Sequence, residues 1–433
     1  MANHINKISS PIVILADDLT GALDSSCTFS SNGYKTIVYC ELPKNIEVIK
    51  KDLASNMNQV VVLNTETRNS TNKKIESMYD LLFSEYKWLF ENSHPFKKVD
   101  STGRGNIGFE INAILSKFHI PYAFVCLPYP ELKRIQAMGI IKSEGNPIDH
   151  TQNNSKLPKD VRYQTEKSLE IQSGLKTRLV TQKEIDTDEK SLYIRLKSMI
   201  ESNVKIICFD SLSRKDLNQI YNTTKKYFPK CLLVGSAGLT KSISESIAVR
   251  PYKPPKVNIQ QNPFALISLS YHQTTKTHFT KLSDLKKISN ITIDTDALQL
   301  DTSFNKEYKR VCSIIEDSIY SKTNIAIKQN KQPSLGTKNK SFTSKRLHKF
   351  LSIISTKLMS YDFYKTFILI GGDTANIVLK TASIGKIEAI EEILPGIILS
   401  LPLPENNVRF NIITKSGGFG SEDQISELIS KLL

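Results

Sequence analysis

Tryptophan is nearly missing from this chain, with one residue in 433, and the six cysteines never fall into C-x-x-C spacing. Cys40, Cys126, Cys208 and Cys231 sit in or beside apolar runs (TIVYC, AFVCL, IICFD, KCLLV). This argues against a disulfide framework and against a zinc site; we read them as buried, reduced thiols of a cytoplasmic protein. No continuous apolar stretch approaches the ~18–20 residues of a membrane-spanning helix. The opening MANHINKISSPIVILADD has one short apolar run that stops at two aspartates, so we read it as mature protein and not as a secretory signal. The histidines form no H-x-x-x-H or H-E-x-x-H pattern, and no G-x-S-x-G elbow occurs. Metal-dependent and serine hydrolysis therefore find little support.

What is present is an ordinary globular composition, 39% hydrophobic and 23% charged, on a chain long enough for two or three domains. The formal charge of +15 invites a nucleic-acid reading. The basic residues are scattered through a Lys- and Asn-rich background, however, so we set nucleic acid aside and expect a small anionic substrate.

Short apolar runs rich in β-branched residues recur along the chain: PIVILA (11–16), KTIVYC (35–40), QVVVLN (59–64), PYAFVCL (121–127), NVKIICF (203–209) and KCLLV. Several are continuous instead of alternating, as in strands buried on both faces of a parallel sheet. Segments with helical spacing lie between them, which argues an α/β fold. Residues 251–263, PYKPPKVNIQQNP, hold four prolines and no apolar periodicity, so they form the expected linker. The pattern resumes in FALISLS (264–270), NITID (290–294), TNIAIK (323–328), KTFILIG (365–371) and FNIITKSGG (410–418). We therefore expect two α/β domains with largely parallel sheets, 1–250 and 264–433. The polar stretches 331–345 and much of 142–165 read as surface loops.

In open parallel sheets, ligands bind beyond the carboxyl ends of the strands. After PIVILA come Asp17 and Asp18; after VVVLN, Thr65 to Arg68; after PFKKV, Asp100, Ser101 and Arg104. The second half offers Ser268 and Ser270, then Gly371-Gly372-Asp373-Thr374, then Lys415-Ser416-Gly417-Gly418. The first set, with Lys98, suits a small polyhydroxy acid: Arg can grip a carboxylate through two parallel hydrogen bonds, and Asp can accept a bond or a proton from a hydroxyl. The second set runs from glycines into helical spacing and suits a nucleotide, because Gly lets backbone N–H groups approach a phosphate. Each feature has a plainer reading as well. Asp17-Asp18 could simply begin a helix near Leu19, and Gly235–Gly238 could be a tight turn. GSAGLTKS (235–242) nearly matches a P-loop, but Thr240 stands where the second Gly belongs, so we reject it.

These motifs resemble those of the four-carbon acid sugar kinases. ADDLTGALD (16–24) looks like that family's opening motif, and NTETR (64–68) is similar to its T-x-S-R element, with Thr67 for Ser. KKVDSTGRGNIGFEI (97–111) resembles K-x-D-S-T-L-R-G-N-x-G, with Gly103 for Leu. VGSAGL (234–239), IGGDTA (370–375), LPG (394–396) and TKSGGFG (414–420) follow in the family's order. The family's P-x-x-G-R segment becomes Pro130 to Arg134 with Lys133 for Gly, and its G-S-x-S-x-x-T element is eroded around Ser268–Ser270.

The resemblance implies ATP-dependent phosphorylation of the terminal hydroxyl of threonate, erythronate or an oxo-tetronate. It also implies an N-terminal domain for the acid sugar, a C-terminal domain for the nucleotide and an active site in the cleft between them. On this reading Arg68, Lys98, Asp100, Ser101 and Arg134 take the substrate. Asp17 or Asp18 meets its hydroxyl, one of them as base. Ser270, Gly371, Gly372, Asp373, Thr374, Gly417 and Gly418 line the nucleotide, and Mg²⁺ bridges the phosphates. A homo-oligomer is compatible with it. The rival from another class is a diverged protein that kept the sugar-acid pocket as a sensor and lost ATP turnover.

Overall fold

The computed structural model describes residues 11–54, 59–149, 157–247, 252–282, 287–330, 337–403, 410–418 and 420–433. The first ten residues, Pro251 of the expected linker, 150–156 and 331–336 of the expected loops, and Phe419 of the last glycine motif lie outside them. The chain divides into two compact units, Met1–Lys253 and Pro254–Leu433.

In the first unit the strands are β1 (Ile12–Ala16), β2 (Lys35–Tyr39), β3 (Gln59–Asn64), β4 (His94–Lys98), β5 (Ala123–Cys126), β6 (Arg134–Ala137), β7 (Ile140–Ser143), β8 (Asn146–Pro147), β9 (Thr177–Val180), β10 (Ile206–Phe209) and β11 (Leu232–Gly235). Its large sheet runs β2-β3-β1-β4-β11-β5-β10-β9, and every pairing in it is parallel. β1 and β3 are buried along their whole length, which a continuous β-branched run requires and which helices on both faces supply. The register decides where function can sit. Ala16 pairs with Asn64 and with Lys98, and Gly235 pairs with Lys98 and Cys126. Five neighbouring strands therefore end at one level.

Part of the 142–165 stretch is not loop. β6, β7 and β8 form a small antiparallel sheet that reaches Pro147, and a helix begins at Thr165. The runs are too short and too polar to announce themselves, and only pairing with one another makes them strands.

The second unit contains β12 (Phe264–Ser268), β13 (Ile288–Ile293), β14 (Asn324–Gln329), β15 (Thr366–Ile370), β16 (Lys386–Leu394), β17 (Ile397–Pro402) and β18 (Asn411–Lys415). Its strand order is β13-β14-β12-β15-β18-β17-β16. The first five are parallel, and β17 runs antiparallel to both β18 and β16. Ser268 pairs with Lys328 and Ile370, and Ile370 with Lys415, so this sheet also ends flush. Phe264, Leu266, Phe279, Ile368, Ile413 and Leu428 belong to its core.

The expected loop 331–345 is corrected from residue 337 onward, because a helix spans Thr337–Ser360. Leu347, Phe350, Leu351, Ile354 and Leu358 are buried at helical spacing, and the polar residues ahead of them extend the same helix once it is anchored. From Tyr252 to Pro263 the chain forms neither strand nor helix.

Candidate functional site

The first unit gathers its charged residues where β3, β1 and β4 end together. The chain leaves β1 through Asp17 and turns into the helix Leu19–Ser30, whose N-cap is Asp18. Asp18 Oδ1 accepts the amide N–H of Gly21 at 2.9 Å and Oδ2 accepts the Thr20 hydroxyl at 2.7 Å. The two carboxylates do not diverge as neighbours on a strand would, because the chain bends here and both meet Arg68. Arg68 Nε and Nη2 donate to the two oxygens of Asp17 at 3.0 and 2.7 Å, and Nη1 lies 2.7 Å from Asp18 Oδ2. The guanidinium expected to grip a substrate carboxylate is thus already held by two carboxylates of the chain.

Exposure separates the two acids. The Asp17 side chain is 0% exposed and that of Asp18 16%. Burial pushes the Asp17 carboxyl above its usual value, with Arg68 opposing. For Asp18 burial acts the same way, but Arg68, Lys98, Thr20 and the Gly21 amide outweigh it and hold the carboxyl below the usual range. Lys98 is buried, donates to the Val99 carbonyl at 3.0 Å, and approaches Asp18 across Gly21. A Cβ on Gly21 would stand 2.6 Å from Asp18 Oδ1 and 2.8 Å from Lys98 Nζ. Any side chain here would displace one of these charges.

Beyond β4, Asp100 accepts Arg104 Nε and Nη2 at 3.1 and 2.7 Å and the Thr102 amide at 2.9 Å. Burial would raise the Asp100 carboxyl, but Arg104, Arg68 and Thr102 hold it well below the usual range. The turn passes through Gly103 at φ +77° and Gly105 at φ +103°. Gly103 thus stands in a left-handed position that glycine adopts without strain. Arg134 Nη1 donates to Ser101 Oγ at 2.6 Å, and burial pulls its guanidinium below the ordinary value. The structure therefore brings Asp17, Asp18, Arg68 and Lys98 into direct proximity, and joins Ser101 to Arg134 beside Asp100.

Sequence reasoning passed over the residues beneath this site. Lys97 Nζ lies 2.6 Å from Glu110 Oε2, and both side chains are wholly buried. The same oxygen accepts the Thr67 hydroxyl at 2.7 Å and the Tyr79 hydroxyl at 2.8 Å. Thr67 was noted only as a variation on a motif. A signal was present: Glu110 shares the apolar face of its helix with Ile107, Ile111 and Ile114, where a carboxylate needs a partner. Asn106 was missed as well. Its side-chain amide lies 3.1–3.4 Å from the carbonyls of Thr67, Arg68 and Ser70, and so staples the turn that carries Arg68.

The second unit's edge is built mainly from backbone. Gly371, at φ +99°, starts the helix Gly372–Thr381 without a side-chain cap. Asp373 is exposed on its first turn, whereas Thr374 turns inward and accepts the Leu269 amide at 3.0 Å. A Cβ on Gly417 would fall 2.4 Å from Ser270 Oγ, and one on Gly418 2.9–3.1 Å from the His272 ring. The Thr275 hydroxyl sits 2.8 Å from the Gly417 carbonyl and 3.1 Å from Ser270 Oγ. Ser270, Gly371 and Gly417 thus share one edge, with Thr275 and His272 as members the motifs did not reveal. The Gly235–Gly238 turn has a different use. A Cβ there would strike the carbonyls of Cys126 or Pro128 at 2.4–2.6 Å, so these glycines allow close chain packing and leave no room for a phosphate.

Comparison with known proteins gives two matches that together span most of the chain. A Sugar-binding N-terminal domain model matches residues 12–243 and a Nucleotide-binding C-terminal domain model matches residues 265–425. The chain belongs to the four-carbon acid sugar kinase family. Among members of this family, it is 22% identical to a D-threonate kinase of Salmonella typhimurium, over 96% of this chain and 97% of that one. It is 27% identical to a D-erythronate kinase of Heliobacterium modesticaldum, over 49% of this chain and 47% of that one. Its fold is shared by solved structures from Salmonella typhimurium (TM-score 0.75, 16% identity, 98% of this chain and 100% of that one) and Haemophilus influenzae (TM-score 0.67, 18% identity, 97% and 100%). Among the described residues, no helix is long and apolar enough to cross a membrane.

Proposed function

We propose that the protein is an ATP-dependent kinase that phosphorylates the terminal hydroxyl of a four-carbon sugar acid such as threonate or erythronate. The observation that carries this is the pairing, within one family member, of a charge-lined strand edge in the first unit with a glycine-lined strand edge in the second. The first can hold a polyhydroxy acid; the second can take phosphates on backbone amides.

The roles follow from what each group has left to offer. Asp18 is the more exposed carboxylate and stays ionised, so it accepts the hydrogen bond of the reacting hydroxyl and orients it. Asp17 is closed off and serves to hold Arg68. Lys98 places a positive charge beside that hydroxyl. Ser101 and Arg134 offer a hydroxyl and a guanidinium for the substrate carboxylate, with Asp100 and Arg104 fixing the turn between them. Ser270, Gly371, Gly372, Gly417 and Gly418 line the triphosphate. Mg²⁺ neutralises phosphate charge when bound. Asp373, exposed on the first turn of the helix Gly372–Thr381, is a carboxylate on the nucleotide edge that such an ion would meet. The six cysteines form no disulfide among the described residues, and burial pushes the thiols of Cys40, Cys126, Cys208 and Cys231 up, which suits a reducing cytoplasmic setting.

The test is ADP release from MgATP in the presence of D-threonate, L-threonate, D-erythronate and oxo-tetronates, with the product's phosphate position read by NMR. Turnover of one of them at its terminal hydroxyl is expected. Binding of the acids without ADP release would favour the sensor reading, and neither binding nor release would remove both.

A further inference from the structure

Glu110 and Lys97 form an ion pair from which solvent is fully excluded, and nothing in the phosphoryl-transfer reading uses it. Stability alone is a poor reason for it. Moving two charges out of water costs about as much as their attraction returns, and well-packed apolar residues of similar volume do as well or better. What the pair touches is more informative. Lys97 adjoins Lys98, and Thr67, which donates to Glu110, adjoins Arg68.

Proton accounting gives the connection a direction. Thr65 Oγ1 and Thr67 Oγ1 are 2.8 Å apart, and each hydroxyl has one proton. Thr67 gives its proton to Glu110 Oε2, and the one proton of the Thr65 hydroxyl faces both Thr67 Oγ1 and the Ala16 carbonyl, the latter at 2.9 Å. The Ala16 carbonyl keeps the Thr65 amide N–H at 2.9 Å, and the Asp17 carbonyl receives the Arg68 amide at 3.1 Å. Residues 65–68 are thus sewn to 16–17 by backbone bonds on one side. On the other they are drawn to Glu110 by the Thr67 hydroxyl. Lys97 and Tyr79 hold that carboxylate oxygen in place.

We propose that Glu110 is a positioning residue: through Thr67 it fixes the turn that carries Arg68, and so sets the Asp17–Arg68–Asp18 geometry that orients the substrate. The kinetic consequence rests on the kinase reading, but the geometry does not.

Two sets of variants test it. The first is Thr67→Val, which removes only the hydroxyl link at nearly constant volume, beside Thr67→Ser, which restores it. The second replaces the cluster by apolar groups in one step, Lys97→Met with Glu110→Leu and Tyr79→Phe. Two readouts are taken: solvent exchange of the Arg68 Nε–H by NMR, its signal assigned by loss in Arg68→Lys, and kcat with the KM for ATP. In Thr67→Val and in the apolar variant, exchange should quicken and kcat should fall, each about tenfold, with the ATP KM within twofold. The melting temperature of the apolar variant should hold or rise, and Thr67→Ser should recover both readouts. Unchanged Arg68 exchange in Thr67→Val overturns the proposal, whether or not the apolar variant folds. So does an unchanged kcat in a variant that melts lower, because the cluster would then serve stability alone. A wild type that turns over none of the sugar acids overturns the kinase reading and leaves the exchange measurement to decide this one.

Discussion

The two flush strand edges solve the same problem with opposite materials. In the first unit the edge is crowded with side chains whose charges are already spoken for: Arg68 by Asp17 and Asp18, Arg104 by Asp100, Lys97 by Glu110. In the second unit side chains withdraw, and glycines at 371, 372, 417 and 418 leave room for main-chain amides. A side-chain cage can distinguish one hydroxyl pattern from another, because each oxygen meets a directed partner. A backbone cradle accepts any phosphate chain of suitable shape. A selective acid pocket and a common nucleotide site are what a kinase of one small acid needs.

The sharpest way to break this contrast is at the paired aspartates. Asp18→Asn keeps an acceptor for the helix cap but loses the charge proposed to face the substrate, so kcat should drop by ~10²–10⁴, with only a modest fall in melting temperature from the weakened Arg68 pair. Asp17→Asn should show the reverse balance. It leaves the buried Arg68 paired with Asp18 alone, so the melting temperature should move while kcat changes little. If instead Asp17→Asn were the folded, inactive variant, the two roles assigned here would have to be exchanged.

On the nucleotide edge the probe is steric. Gly417→Ala should weaken MgADP binding at least tenfold, about 1.4 kcal/mol in titration calorimetry, because its Cβ would meet Ser270 Oγ at 2.4 Å. Adding Ser270→Gly should recover part of the loss. Recovery would show that shape, and not the serine hydroxyl, is what the cradle supplies; no weakening in Gly417→Ala would move the nucleotide elsewhere.

Acid unfolding probes the charged edge more gently. Asp18 and Asp100 are depressed in the folded state, so the stability they contribute is complete above about pH 4 and is lost as pH falls through their lowered values. Asp17, raised by burial, has the opposite sign: its contribution is present at low pH and fades as pH rises through its folded value. Asp100→Asn should therefore flatten the dependence of melting temperature on pH below pH 4 relative to wild type. An identical slope would mean that the Asp100–Arg104 pair adds nothing.

The smallest effect is expected at Lys133, which follows a short 3₁₀ turn at φ 54°, left-handed backbone where the family motif has Gly. Lys133→Gly should relieve strain of about 1 kcal/mol, partly offset by the freer unfolded chain, and raise the melting temperature slightly. A fall would show that the lysine side chain makes up for its backbone.

What could be read in the sequence was whatever a strand declares locally. IVILA and VVVL announce burial on both faces, and the residues just past them are brought together as a candidate site because parallel strands end together. What could not be read depends on partners distant in sequence. KIEAIEEIL looks no more like a strand than like a helix until β17 pairs with it, and it was not anticipated as β16. Arg68 looked available for a substrate because nothing local says that two aspartates fifty residues earlier will occupy it. Glu110 looked like one more charge on a helix, since its partner Lys97 comes from a strand.

Flush registers also constrain how such a protein can change over generations. The connections beyond the strand ends can lengthen or shorten at modest entropic cost. A single residue gained or lost inside β1, β3 or β4 is another matter. It would advance one functional group by about 3.3 Å and turn it to the opposite face. New substrate preferences should therefore arise through insertions and exchanges past Ala16, Asn64 and Lys98, while strand lengths stay under purifying selection.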